Sequence, residues 1–131
     1  MDFKASHRHA RVTARKARLV VDLVRGPPVN QALVALERSP KRAAVFVKKV
    51  VRSAVANAEQ KTGGSIDLND LVVSTARVDE GPLLGGAMRW RPAARGRAMP
   101  YRKRTSHIHI SLSTTTPATE PAVAVAASEE G

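Results

Sequence analysis

Two segments that alternate apolar and polar residues enclose a run that does not. From Gly81 to Arg104 the chain reads GPLLGGAMRWRPAARGRAMPYRKR, with seven bases and no acid. The run has no helical apolar period and too few aliphatics for a core strand. It is also too long for a tight hairpin turn, and a structureless loop of that length is rare in a compact domain. The arrangement that fits is a two-stranded ribbon running past the core. Half the run going out and half returning, at ~3.3 Å per residue, gives a reach of roughly 35–40 Å. Such a ribbon is marginal in water by itself. Its charge indicates that the partner fixing its shape is a polyanion.

The flanks define the base of this arm. In Leu71–Val78, period two places Val72, Ala76 and Val78 on one face, with Val73, Thr75 and Arg77 on the other. Ile108, Ile110 and Leu112 alternate with His107, His109 and Ser111. Both read as half-buried antiparallel strands. A third, weaker strand is conceivable near Ser65–Asp67.

Upstream the period is 3.6. Thr13 is placed to cap a helix over Ala14–Arg25, with Ala14, Ala17, Val20, Val21 and Val24 along one stripe. Gly26-Pro27-Pro28 stops it. Asn30–Glu37 forms a short second helix. Ser39-Pro40 then reads as cap and first residue of the longest helix, Pro40 to about Lys61. Phe46, Val47, Val50, Val51, Ala54, Val55 and Ala58 line its apolar face, and Gly63-Gly64 ends it. Lys41, Lys48 and Arg52 form a row on its far side, beside Arg42 and Lys49. Residues 1–11 are polar and basic without a clear period.

With 131 residues and a formal net charge of +11, one basic domain is expected. All 22 bases lie in residues 1–104, whereas the remainder holds Glu120, Glu129 and Glu130 and no base. Residues 1–113 therefore form the expected domain, with the arm at 81–104. Residues 114–131, low in complexity, are an expected disordered acidic tail. The absence of cysteine rules out disulfides and thiolate metal sites. No apolar run is long enough to span a membrane and no signal peptide is evident, so a soluble cytoplasmic protein is expected.

Catalysis finds little support. There is no glycine-rich phosphate loop with its Lys-Ser/Thr context and no nucleophile elbow. Asp79 and Glu80 alternate across a strand and do not face each other, and a charge role such as pairing with Arg77 or Arg104 suits them better. His7/His9 and His107/His109 are two alternating pairs, but zinc needs three or four converging ligands. No metal and no cofactor is expected.

Nucleic-acid binding is well supported. Arg89, Arg91, Arg95, Arg97, Arg102, Lys103 and Arg104 stand among Met88, Trp90, Met99 and Tyr101. Guanidinium pairs with phosphate and stacks on bases, and aromatic rings stack too. Trp90 and Tyr101 suit base contact and cross-strand packing equally. Lys4, Arg8, Arg11 and the helical bases add further cationic sides. A DNA reader presents one recognition element to a groove; many-sided charge fits a protein embedded in folded RNA.

Five pieces in order make the assignment sharper: ARVTARKARLVVDLVRG at 10–26, AVANAE at 54–59, VDEGP at 78–82, RGRA at 95–98 and KRTSHI at 103–108. Together, over roughly residues 5–113, the chain resembles the bacterial-type family of large-subunit ribosomal protein twenty-two. The resemblance implies an α+β fold, three helices on a small three-stranded antiparallel sheet with a long extended β-hairpin. It implies binding to several domains of 23S rRNA, contacts with neighbouring ribosomal proteins and help in subunit assembly. It implies a hairpin tip, Arg91, Pro92, Ala93, Ala94, Arg95, Gly96 and Arg97, that lines the exit tunnel beside the nascent polypeptide and influences macrolide sensitivity. Arg15, Lys16 and Arg18 match basic positions of the family's first helix and become RNA-contact candidates. The chain departs from the pattern where Leu83–Ala87 replace a basic pair, where the arm is a few residues longer, and where Pro92-Ala93-Ala94 replaces Pro-Arg-Ala.

Overall fold

Thr13 turns the chain into its first helix. Its backbone is extended, its hydroxyl accepts the Lys16 N–H at 3.4 Å, and α1 runs from Ala14 to Val21. A 3₁₀ turn over Asp22–Val24 carries the same apolar stripe onward, so the expected helix is present but tightens in its last turn. In this computed structural model, which describes residues 1–115, α2 covers Val29–Arg38 and α3 covers Arg42–Thr62.

The start of α3 differs from expectation. Ser39 does not cap it, because Ser39 already closes α2, donating its N–H to Ala35 O at 3.1 Å. Its hydroxyl accepts only the Lys41 N–H, at 3.4 Å. Lys41 takes the cap position with no side-chain hydrogen bond, so the first amides of α3 have no cap.

One sheet has the order β1-β5-β2, all antiparallel, from β1 (Asp2–Ala10), β2 (Leu71–Leu83) and β5 (Arg104–Thr114). α3 lies over β1 and β5, α1 over β2 and β5, and α2 packs on α3. The third strand is thus the amino-terminal segment and not Ser65–Asp67, where Asp67 instead caps a 3₁₀ turn over Leu68–Asp70. Phe3, Ala5 and His7 pair with Leu112, Ile110 and Ile108 on the helix-facing side. Of these three only Phe3 is a large apolar residue, and His7 meets the Phe46 ring edge-on at 5.6 Å. A bulge follows in which His9 takes a φ of 58°, and the strand returns to the core at Ala10.

The expected faces of β2 require correction. Leu71 and Val73 are buried, as are Ala76 and Val78, while Val72 is only partly covered. The pairing shifts by one residue between Val73 and Thr75. That bulge inverts the alternation, so apolar residues of opposite parity share the inner face. β5 obeys simple alternation: Ile108, Ile110 and Leu112 are all buried.

Twenty of the 26 buried apolar residues are Ala or Val. Small side chains let helices and sheet approach closely, but each buries little area, so the body has little stability in excess. β5 runs through Thr114, and the Thr115 N–H donates to Asp70 O at 2.7 Å, so these two residues of the expected tail belong to the sheet's end. The rest of that tail lies outside the described residues.

Candidate nucleic-acid interface

The arm is a hairpin in two stages. β2 and β5 stay paired as far as Leu83 opposite Arg104. A second ribbon, β3 (Arg89–Pro92) with β4 (Ala98–Tyr101), pairs Arg89 with Tyr101 through Pro92 with Ala98. Between the stages, residues 84–88 on the outward limb face only 102–103 on the return. Leu84 keeps a ladder bond to Lys103 O at 2.7 Å, and Gly85 and Gly86 then take φ values of 77° and 76°. The extra outward residues therefore form a bend, and the ribbon is not the continuous one that residue count suggested.

At the tip, Ala93 N–H donates to Arg97 O at 2.7 Å and Arg97 N–H to Ala94 O at 3.3 Å. The central pair, Arg95 and Gly96, has φ of 60° and 68°. Positive φ at both central positions is the turn whose twist matches a hairpin. Glycine enters that region freely; arginine is unusual there.

Where the arm leaves the body a cleft of about 1170 Å³ opens. Arg11 and Lys16 enter from the start of α1, Lys41 and Arg42 from the start of α3. Arg89, Arg91, Arg102, Lys103 and Arg104 enter from the arm. Nine of its sixteen lining residues are cationic and none is acidic. Neither helix has an acid in its first turn. Cations gathered at positive helix ends repel both one another and the helix dipoles, a cost that a bound anion removes. None of the arm's seven bases has an ion-pair partner among the described residues.

Of the eleven bases singled out from sequence, seven meet in this cleft. Arg15 lines a neighbouring hollow with Glu80 and Arg104. Arg18 is turned back on the sheet, donating to Val78 O at 3.2 Å. Arg95 and Arg97 stand at the tip, outside the cleft. Lys41 and Arg42 were not among the eleven. Their signal was present, two bases at a helix start, but only tertiary packing brings them to the arm.

A family model for ribosomal protein L22p/L17e matches residues 5–113. The chain belongs to that family. As an L22p/L17e protein it is a structural constituent of the large ribosomal subunit in the cytoplasm, not an enzyme, and its partners are ribosomal RNA and other ribosomal proteins. The acid-free cleft is the feature of this L22p/L17e chain best suited to such RNA.

Not every base lies in the cleft. Lys48 and Arg52 both pair with Glu37, at 2.8 and 3.5 Å, which divides the helical row that also contains Lys41. The hydrogen bond and charge of Lys48 hold the Glu37 carboxyl below the usual carboxylate range. Arg25 bonds Ala76 O at 2.6 Å and Asp22 at 2.7 Å. Asp79 sits 3.6 Å from Arg77 and 3.3 Å from His109, which realises the charge role expected of it.

His9 and His107 meet at the arm's root. His9 N–H donates to His107 Nδ1 at 3.0 Å, and the rings meet edge-on with centroids 4.8 Å apart. Burial lowers the His107 pKa, and the charges of His9, Arg8 and His109 lower it further against an opposing pull from Asp79. The described residues contain no group of three His, Asp or Glu side chains able to hold a metal ion.

Proposed function

We propose that residues 1–113 act as one RNA-binding domain in which the cleft at the arm's root grips 23S rRNA phosphates and the arm threads inward through the RNA. On this reading the cleft anchors, Arg15 and Arg18 extend the contact along α1, and the arm reaches several rRNA domains. The tip, Arg91 to Arg97, lines the exit tunnel and meets the nascent polypeptide. Early binding of RNA at the cleft aids subunit assembly, and changes at the tip alter macrolide sensitivity.

The observation that carries the reading is the meeting of nine cations and two helix starts, with no acid, at the base of an arm that has no buried residue. Guanidinium and ammonium groups so placed release counterions when phosphate binds, and such binding falls steeply with salt. Charge reversal tests it. Arg42→Glu with Lys103→Glu weakens binding to a large-subunit rRNA fragment at least about tenfold and lowers the log–log salt slope by about one for each phosphate no longer neutralised. Arg52→Glu, remote from the cleft, has a much smaller effect. A slope unchanged in the double variant sinks the anchoring role of the cleft. For the arm, deleting residues 85–97 leaves the body folded and incorporated while altering peptide passage and macrolide response. A truncated chain that fails to join the subunit contradicts the division of labour.

A further inference from the structure

The register of the distal ribbon sorts its side chains onto two unlike faces. Residues directly opposite in an antiparallel pair share a face, and successive residues alternate. Arg89 and Arg91 therefore lie with Tyr101 and Met99, whereas Trp90 and Pro92 lie with Pro100 and Ala98. The first face borders the cationic cleft, which Arg89, Arg91 and Tyr101 line. The second face carries no charge.

The two aromatic residues differ accordingly. Tyr101 is already occupied: the Arg91 guanidinium sits over its ring, 4.6 Å from the centroid. Trp90 has no aromatic or cationic partner among the described residues and is 61% exposed. Its cross-strand partner is Pro100, a rigid ring on the same face of the ribbon. An exposed indole on an uncharged face, with arginines before and after it in the chain turned to the opposite face, matches the needs of a nucleotide. The base needs an open π-surface to stack on, and its own phosphates need cations within a residue's length.

We infer that Trp90, opposite Pro100, is a stacking platform for an unpaired RNA base, while Arg89 and Arg91 hold the phosphates on either side of that base. A backbone crossing the ribbon's edge reaches both faces at once. Tyr101 has a different task, keeping Arg91 extended across the ribbon. This inference rests on the RNA-binding reading above and specifies its ligand at one residue: an extruded or single-stranded base, as opposed to a duplex groove.

Trp90 is the only tryptophan in the chain, so its emission reports the site directly. Full-length protein is titrated at low salt with an unstructured oligoribonucleotide and, separately, with inorganic polyphosphate, which has charge and no bases. Stacking quenches the emission with the oligoribonucleotide and leaves it nearly unchanged with polyphosphate. Trp90→Ala weakens oligoribonucleotide binding about 5- to 150-fold, Trp90→Phe recovers most of that loss, and neither changes polyphosphate binding. Equal quenching by both polyanions, or equal loss of both in Trp90→Ala, shows that only charge is sensed and overturns the platform. If Trp90→Ala is silent while Arg42→Glu with Lys103→Glu still weakens RNA, stacking fails and the RNA-binding reading stands. If native protein binds neither polyanion, both fail.

Discussion

The body and the arm are both rich in bases, but outside the cleft the body uses its bases in the opposite way. In the body, Lys48 and Arg52 are paired to Glu37, Arg25 to Asp22 and to the sheet, Arg18 to a strand carbonyl. There the cations tie elements together over a core that is already complete. In the distal arm no residue is buried and no base is paired among the described residues. The arm's charge is left open to an outside partner, and on the function proposed above that partner fixes its shape. The contrast shows that an arginine's role is set by whether acids and carbonyls are within its reach. Here the sequence withholds acids along the whole arm, Gly81 to Arg104.

The comparison breaks most readily in the core. Ile110→Ala is expected to destabilise the protein by about 2–5 kcal/mol in denaturant titration, whereas Trp90→Ala changes stability by less than about 0.5 kcal/mol. Similar losses at both sites would mean that the arm contributes to the fold. Next comes the junction. A Cβ at Gly81 would stand 2.6 Å from Thr105 Oγ1 and 3.2 Å from the His107 ring, and the Thr105 hydroxyl already donates to Pro82 O. Gly81→Ala should cost about 1–3 kcal/mol. Adding Thr105→Ala removes the closest atom, so the double variant should lose less than the sum of the singles. Strict additivity would show that close packing does not set the arm's departure.

The root also responds to pH. The His107 pKa is lowered in the folded state, so the unfolded chain binds the proton more readily. The associated stability is fully present above the unfolded value near 6.5 and is lost as pH falls from there through the lowered folded value. His107→Asn, whose side-chain oxygen can still accept the His9 N–H, should flatten that part of the profile in thermal melts; an unchanged profile excludes His107 as the titrating group. A modest effect is expected at Ser106, whose hydroxyl is buried without a hydrogen-bond partner among the described residues. Ser106→Ala is expected to raise stability by about 1 kcal/mol, because a buried unsatisfied group is removed and nothing else is.

The helices were legible because their apolar spacing is regular: Val47, Val50, Val51, Ala54, Val55 and Ala58 are all buried. β1 was not, because its inward positions are Phe3, Ala5 and His7, and one large apolar residue in three does not reveal a period. β2 was found but its facing was misjudged, since a bulge cannot be seen in an alternation that it interrupts. At the site, the arm's bases were legible from the absence of acid around them. The recruitment of Lys41 and Arg42 was not, because it depends on where α3 begins relative to a strand more than forty residues later. Arg18 shows the converse. It is basic and on the expected helix, yet one of its nitrogens is drawn to the carbonyl of Val78.

The bulge in β2 also sets where this strand can change length. Losing either Ser74 or Thr75 would straighten the ladder and leave Leu71, Val73, Ala76 and Val78 all directed at the helices. Losing Arg77 instead would swing Val78 out to the open face. A single-codon deletion is thus nearly silent at one spot and ruinous three residues further on, so deletions in this strand should collect at the bulge.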